Sequence, residues 1–369
     1  IQWLIFGYSL AFGPDVHGLI GNFGWAFLNH VGLDPSKGYA PTVPHEIFML
    51  FELMFAIITP ALISGAIVER MRFGAYLLFL FLWATIVYDP LAHWVWGDGG
   101  WLHRMGLLDF AGGTVVEIAS GVSALVLALM LGKRRRDGGD ELRPHNLPMA
   151  LTGAALLWFG WFGFNAGSAI SSGRIAVNAF VDTHIAMAAA AFGWMVLDWL
   201  TYKKPTGLGF VSGAIAGGVA ITPACGYVSP MAALFIGLVV SAVSFYGIRI
   251  KNKLNCDESL DVFGVHGCGG IWGTIATGLF ASAAINGTNG LLHGNFHQFL
   301  VQLLAVVVSI AYTAGGTYVA AKLATWASGG LRVSREEEEM GLDLTDHGES
   351  GYSVEGSGGV FKPGLAGAD

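Results

Sequence analysis

The chain has 369 residues, of which 54% are hydrophobic and only 12% charged, against about 25% charged in a soluble domain. That balance excludes a soluble globular enzyme and a basic nucleic-acid binder, and it points to an all-α polytopic membrane protein. The formal net charge of −7 carries little weight, because the acids gather in the tail, as in the run Glu336 to Glu339.

A membrane span needs about 20 apolar residues. The first residues, IQWLIFGYSLAFG, make a partial span at 1–13 with no Met and no signal peptide before it, so an upstream part is expected to be missing. Further spans are predicted at 46–68, 73–95, 110–131, 147–166, 178–200, 206–225, 229–248, 262–284 and 298–326. All Lys and Arg except Lys37, Arg104 and Arg174 fall in the connections 68–73, 132–146, 201–205 and 249–261 or after about residue 320. Basic loops stay cytoplasmic, and every second loop is basic, so the span count agrees with itself and the C-terminus is expected in the cytoplasm. The division is then a transmembrane domain over 1–326 and an acidic, Gly/Ser-rich cytoplasmic tail over 327–369, regulatory or disordered. The 54 glycines suit close helix packing in lipid. Cys225, Cys256 and Cys268 have no metal-ligand spacing and are expected to be structural.

Two ionisable residues lie within apolar runs. Glu117 sits in DFAGGTVVEIASGVSALVLALMLG (109–132) and His266 in DVFGVHGCGGIWG (261–273). Such groups are costly in hydrocarbon and usually face a partner or a water-filled path. Gly113, Glu117, Gly121 and Ala124 share one helix face, as do His266, Gly270 and Gly273. The pair either forms a pathway or is a buried ion pair that fixes helix register. Each helix follows an aspartate, Asp109 or Asp261, expected to cap it. The two segments echo each other with opposite direction, which suggests an inverted repeat.

Aromatic residues mark the other end. Phe51 and Phe55 are one turn apart in FELMFA (51–56), Trp96 lies in HWVWG, and WFGFNAGS (161–168) carries Phe164 and Ser168. Interfacial aromatics anchor helices, but their faces also attract cations. A ring of Phe51, Phe55, Trp96 and Phe164 with the Ser168 hydroxyl makes a cation site. Glu52 beside it either faces another subunit or adds negative charge near the mouth. His93 and His184 are expected to be satisfied core histidines. Hydrolase, zinc-protease, Walker and dinucleotide motifs are missing from the sequence, and one Glu with one His is too few ligands for a metal site. Neither cofactor nor enzymatic activity is expected.

The stretches GYSLAFG (7–13), GAIVERMRF (65–73), AHWVWG (92–97), LDFAGGTVV (108–116), RPHNLPM (143–149), GWFGFNAGS (160–168), SGAIAGGVAITPACGY (212–227) and DVFGVHG (261–267) carry a resemblance, as does LRVSREEEEMGLDLTDHGESGY (331–352). Over essentially its whole length the chain resembles the ammonium transporter family (Amt/Mep/Rh), most closely its bacterial Amt branch. The resemblance implies eleven spans built on inverted five-helix repeats, about ten of them present here, in a homotrimer of the cell membrane with one pore per subunit. It implies that Phe55 and Phe164 form a stacked phenyl gate, and that Phe51, Trp96 and Ser168 form the ammonium-recruiting site with Asp109 as its structural carboxylate. His266 matches one of two pore histidines, while Glu117 replaces the other, so twin-histidine proton chemistry does not carry over unchanged. The resemblance also implies a PII-type signal protein as a partner at loop 132–146 and the tail.

Ammonium and potassium are alike in size and charge, but ammonium donates hydrogen bonds and can lose a proton. The expected sequence is recruitment as ammonium, deprotonation, and passage of ammonia past Glu117 and His266. Two further readings stay open at this point. One is a sensor, in which an ionised Glu117 holds ammonium tightly. The other is an intramembrane enzyme using the same pair.

Overall fold

The computed structural model describes residues 1–135, 145–254 and 256–351. The middle of the basic loop (136–144, most of the expected partner-binding loop 132–146), Asn255 and the tail end 352–369 lie outside the described residues.

Helical rods make up most of the structure. The main ones are α1 (Trp3–Phe12) and α2 (His45–Ile67), then α3 (73–96), built from Phe73–Trp83, a π turn at Ala84–Tyr88 and Asp89–Trp96. They continue with α4 (Gly113–Leu131), α5 (Leu147–Gly167), α6 (Arg174–Tyr202), α7 (Gly207–Ile221) and α8 (Pro230–Lys253). Last come α9 (263–280), a π turn at Phe263–Gly267 running into Cys268–Phe280, and α10 (Phe296–Ser328). Among the described residues seven helices are long and apolar enough to cross a membrane, namely α2, α3 with a short extension to Arg104, α4, α5, α6, α8 and α10. α1 and α7 are shorter, and glycines with His266 dilute the hydropathy of α9.

Every predicted span meets one of these helices. The span at 206–225 stops early, at Ile221, where Thr222 and Pro223 begin a run of turns; proline has no N–H to continue the ladder. The span at 262–284 stops at Phe280 because Ala281 turns extended, with ψ 140°. The expectation of an all-helical chain missed two small hairpins in the loop 13–44. Asp15–Val16 pairs with Ile20–Gly21, and Pro35–Ser36 with Ala40–Pro44.

Two large apolar cores and a small cluster of Ile118, Val122 and Val306 lie among the described residues. One core is built mainly from α1 to α4 and α10, the other from α5 to α9. α4 and α9 join them. The π turn of each packs on the α-helical part of the other. A Cβ at Gly121 would collide with the backbone of Gly267, and one at Gly270 would meet Glu117 Cβ 2.7 Å away. As the number rises on α4 it falls on α9, so the helices are antiparallel, and only glycine permits this separation.

The basic connections gather at one end. Arg332 donates to the carbonyls of Leu131 and Lys133 at 2.7 and 2.6 Å and pairs with Glu338 at 2.9 Å. Glu338 also accepts from the Arg135 backbone N–H at 2.6 Å. Arg134 pairs with Asp257 at 2.5 Å. The described part of the tail is therefore ordered, with short helices Arg335–Met340 and Leu342–Thr345. Disorder does not apply to it, because a capping box at Ser334 and Glu337 starts the first helix and the Arg332 bonds fasten it. Partial burial works to raise the Asp257 carboxyl, but the hydrogen bonds and charge of Arg134, with Arg70 behind it, override burial and hold it at about 2.

Two outcomes follow. Gly121→Ala should lower thermal stability in detergent by about 1–3 kcal/mol, the usual cost of overpacking, while Gly153→Ala, where nothing lies within 4 Å of an added Cβ, should be neutral; equal midpoints would contradict the close approach. A depressed carboxyl adds stability above the ordinary carboxylate range that disappears as pH falls toward its folded value. Asp257→Asn should therefore lower the thermal midpoint at pH 7, with a gap from the parent that narrows between about pH 4 and pH 2.

Candidate functional site

Glu117 and His266 both fall in π turns, Gly113–Ile118 and Phe263–Gly267. A π turn inserts one residue into a helix and often marks a functional site. The insertion aims both side chains into the α4/α9 interface. Glu117 Oε2 lies 2.6 Å from His266 Nδ1, and the residues are 1% and 7% exposed. The two groups singled out by the sequence are thus direct partners. With one proton between them the pair is net neutral, either as acid with imidazole or as carboxylate with imidazolium.

Asp109 holds the start of α4. Its Oδ1 accepts from the N–H of Gly112 and Gly113 at 2.9 and 2.6 Å, and its Oδ2 accepts from Thr114 N–H at 2.8 Å and from the Thr114 hydroxyl. Its backbone carbonyl accepts from Trp96 Nε1 at 2.9 Å. One residue therefore caps the helix that carries Glu117 and fixes the Trp96 ring.

Asp261 does not do the same for α9. The N–H of Phe263 is capped by Glu258 Oε1 at 2.7 Å, while Asp261 accepts from Lys251 Nζ at 2.6 Å. Asp261 has a left-handed backbone, φ +56°, which turns its side chain away from the helix start. Lys251 also pairs with Glu258 at 3.1 Å. The sequence signal for the true cap was an acid a few residues further upstream.

Trp96, Phe55 and Ser168 converge on a cavity of about 170 Å³. Phe55 meets Trp96 with ring centres 5.7 Å apart and Phe164 at 4.6 Å. The Phe55–Phe164 planes are inclined by 62°, so the contact is edge to face rather than stacked. Edge-to-face contact suits the ring quadrupoles. Phe51 does not line the cavity. It lies behind Phe55 at 4.9 Å, and its ring fills the space a side chain at Gly167 would need. Ser168 Oγ donates to the Phe164 carbonyl at 2.9 Å, which leaves its lone pairs to accept. Sequence reasoning missed Phe12, Tyr39, Phe48, Phe110 and Ile170 on the cavity wall. Most come from elements remote in sequence and share no local pattern.

Of the two histidines assigned to the core, His93 belongs there. It is fully buried, with ring nitrogens 2.9 Å from the Ala11 carbonyl and 3.0 Å from Asp15 Oδ1. His184 is exposed and rests against Trp158 and Phe162. The three cysteines are free thiols. Among the described residues no group of three or more His, Cys, Asp or Glu could hold a metal ion.

Asp109→Ala removes the acceptor for four bonds at once. It should cost about 3–5 kcal/mol, the usual result of breaking a buried hydrogen-bonded charge, and loosen the start of α4. Asp109→Asn, which keeps one acceptor oxygen, should lose less. A thermal midpoint of the Ala variant equal to the parent would contradict this joint.

The model of the Ammonium Transporter Family matches residues 1–352. An ammonium transporter of Bacillus subtilis (strain 168) is 51% identical over 355 residues, covering 95% of this chain and 86% of its own. The crystal structure of Saccharomyces cerevisiae Mep2 superimposes with a TM-score of 0.85 at 36% identity, over 91% of this chain and 77% of its own. A structure described as a sensor Amt protein gives a TM-score of 0.83 at 30% identity, over 94% and 87%. Members of this family are transporters, not enzymes, and with its apolar helices and matched fold the chain is a multi-pass membrane protein that belongs to the ammonium transporter family.

Proposed function

We propose that the chain moves ammonium or ammonia across a cell membrane through a pore in each subunit of a homotrimer. The carrying observation is the buried 2.6 Å contact between Glu117 and His266 on two antiparallel helices. Ammonium is recruited in the aromatic cavity, where Trp96 and Phe55 offer ring faces and Ser168 a hydroxyl acceptor, with Phe51 and Phe164 as the second layer. On this reading the path below the rings is apolar, and a charged species is disfavoured there. Ammonium therefore gives up a proton, leaving ammonia. The Glu117–His266 pair takes that proton by becoming acid plus imidazolium, and returns to its net-neutral form when the proton leaves at the far end. Asp109 keeps the cavity and the pair in register. Asp261 acts on the site only by fixing Lys251 and the loop before α9.

The basic end is the cytoplasmic face on the positive-inside rule. Residues 1–326 form the transport domain and 327–369 a cytoplasmic tail, and the described part of the tail with Lys133 to Arg135 beside it offers a docking surface for a PII-type signal protein. A sensing role is the second reading. It is favoured by the carboxylate itself, since an ionised Glu117 holds a cation more strongly than an imidazole does, and by the likeness to a structure described as a sensor Amt protein.

Ammonium and potassium pulses on proteoliposomes at a solid-supported membrane, across a pH series, test both. A sustained ammonium-specific current, absent with potassium, is expected; a binding transient with no uptake in a pH-dye assay would favour sensing. Glu117→Leu should reduce flux by about 100-fold, in the range for loss of a proton-transfer group. Glu117→His should change the pH profile and the half-saturating ammonium concentration, and a variant unchanged in rate, pH dependence and affinity would remove the acid from the mechanism.

A further inference from the structure

Glu52 stands out in α2. Beyond the first turn it is the only charged side chain of the His45–Ile67 helix. It is 7% exposed, and its Oε2 is buried with no hydrogen-bond partner among the described residues. More than nine in ten buried polar groups have a partner, and an exception calls for a ligand, a water or a function. The residue does not point outward to lipid or toward a neighbouring subunit. It lines the same cavity of about 170 Å³ as Trp96, Phe55 and Ser168.

That wall has no positive charge of its own. None of the lining residues is Lys, Arg or His. The histidine on the same helix, His45, is engaged by Tyr8, with Tyr8 Oη 2.6 Å from His45 Nε2. Ser168 Oγ spends its proton on the Phe164 carbonyl, so it too presents only lone pairs. The cavity therefore combines the Ser168 hydroxyl oxygen, the electron-rich faces of aromatic rings and the uncompensated Glu52 carboxyl. The missing element is a small cation with hydrogens to donate.

We propose that Glu52 is the counter-ion of the outer cavity. Its carboxylate accepts an N–H bond from an incoming ammonium-type monocation while Ser168 accepts a second, and the rings of Phe55 and Trp96 enclose the remaining faces. The proposal rests on the transport reading for the identity of the cation, but binding alone tests it. The chemistry separates ammonium from potassium by direction as well as charge. Ammonium needs a few aimed acceptors, whereas a bare potassium ion needs a shell of several oxygens to replace its water, and this wall supplies too few. At 170 Å³ the cavity has room for one such ion and several waters.

The test measures the full chain in two ways: calorimetric titration with methylammonium chloride at fixed ionic strength, and ammonium-evoked current in proteoliposomes. Glu52→Gln keeps the size and one acceptor but removes the charge. It should raise the half-saturating concentration in both assays by about tenfold or more, as expected for a hydrogen bond to a charged group, with the maximal current changed far less. Glu52→Asp keeps the charge and should recover most of the affinity. A role in packing alone would instead lower stability and maximal current together and leave the half-saturating concentration in place. A Gln variant within twofold of the parent in both assays overturns the proposal. If the parent binds methylammonium but passes no current, the transport reading fails, while a tenfold loss of binding in the Gln variant still supports the counter-ion. If the parent shows no saturable binding, the cavity holds no cation and the proposal fails.

Discussion

The fold depends on one approach distance. Two glycine-faced helices cross antiparallel, with Gly121 against Gly267 and Gly270 against Glu117. Helices come this near only where at least one of them contributes no side chain to the contact, and in lipid that closeness is itself the source of association, since apolar surface gains nothing by leaving a hydrocarbon solvent. The same closeness brings a carboxyl and an imidazole to 2.6 Å. Had the helices stood a side chain apart, each group would need water or a separate partner, and an isolated charge at that depth is expensive. Packing and chemistry are therefore a single constraint, and the two π turns are its local solution. Each inserts a residue so that the small face stays on the contact while the ionisable group turns into it.

That junction is held from both ends by side chains that cap backbone. At one end Asp109 caps α4 and presents a carbonyl to Trp96, so the ring of the cavity and the helix of the pair share a fastening. At the other, Glu258 caps the Phe263 N–H and is itself gripped by Lys251, which also holds Asp261. Neither carboxylate is spare charge. Each satisfies helix-start donors that would otherwise be buried without acceptors, and each sets the angle at which its π turn enters the interface.

Much of this was legible in the sequence, for reasons that can be named. Span positions follow from apolar runs of the right length, and basic residues punctuate them. The pairing of Glu117 with His266 was visible because an ionisable group in such a run has few alternatives. Asp109 read correctly because a cap is local, three to five residues from the donors it satisfies. Asp261 also precedes a glycine-rich helix but has a different role, because a positive φ redirects it and a more distant acid takes the cap. Phe51 stands behind the cavity wall for a related reason. Helical spacing puts it on the face of Phe55, but whether a residue meets the cavity or backs its neighbour depends on Gly167 of another helix. His184 was assigned to the core from its place in a span, yet a span has a lipid-facing side, and hydropathy does not say which residue lies on it. The cavity wall was the least legible part, since Phe12, Tyr39, Phe110 and Ile170 are brought together only by the tertiary fold.

The acid at 117 fits this frame without disturbing it. Gly270 leaves room for the side chain at 117, whose Cβ already occupies the place a Cβ at 270 would need. The contact to His266 is kept at hydrogen-bond length, so the scaffold accepts an acid at that point as long as one proton is shared. What changes is the charge inventory. Two imidazoles with one shared proton are neutral only when both rings are uncharged, whereas a carboxyl and an imidazole are net neutral in two arrangements that differ by the position of one proton along a 2.6 Å line. A neutral pair that can rearrange internally suits an apolar interior, because the proton shifts without changing the net charge the surroundings must accommodate. The polarity of the centre is thus set by which residue stands at 117, while the distance across it is set by glycines that have no chemistry at all.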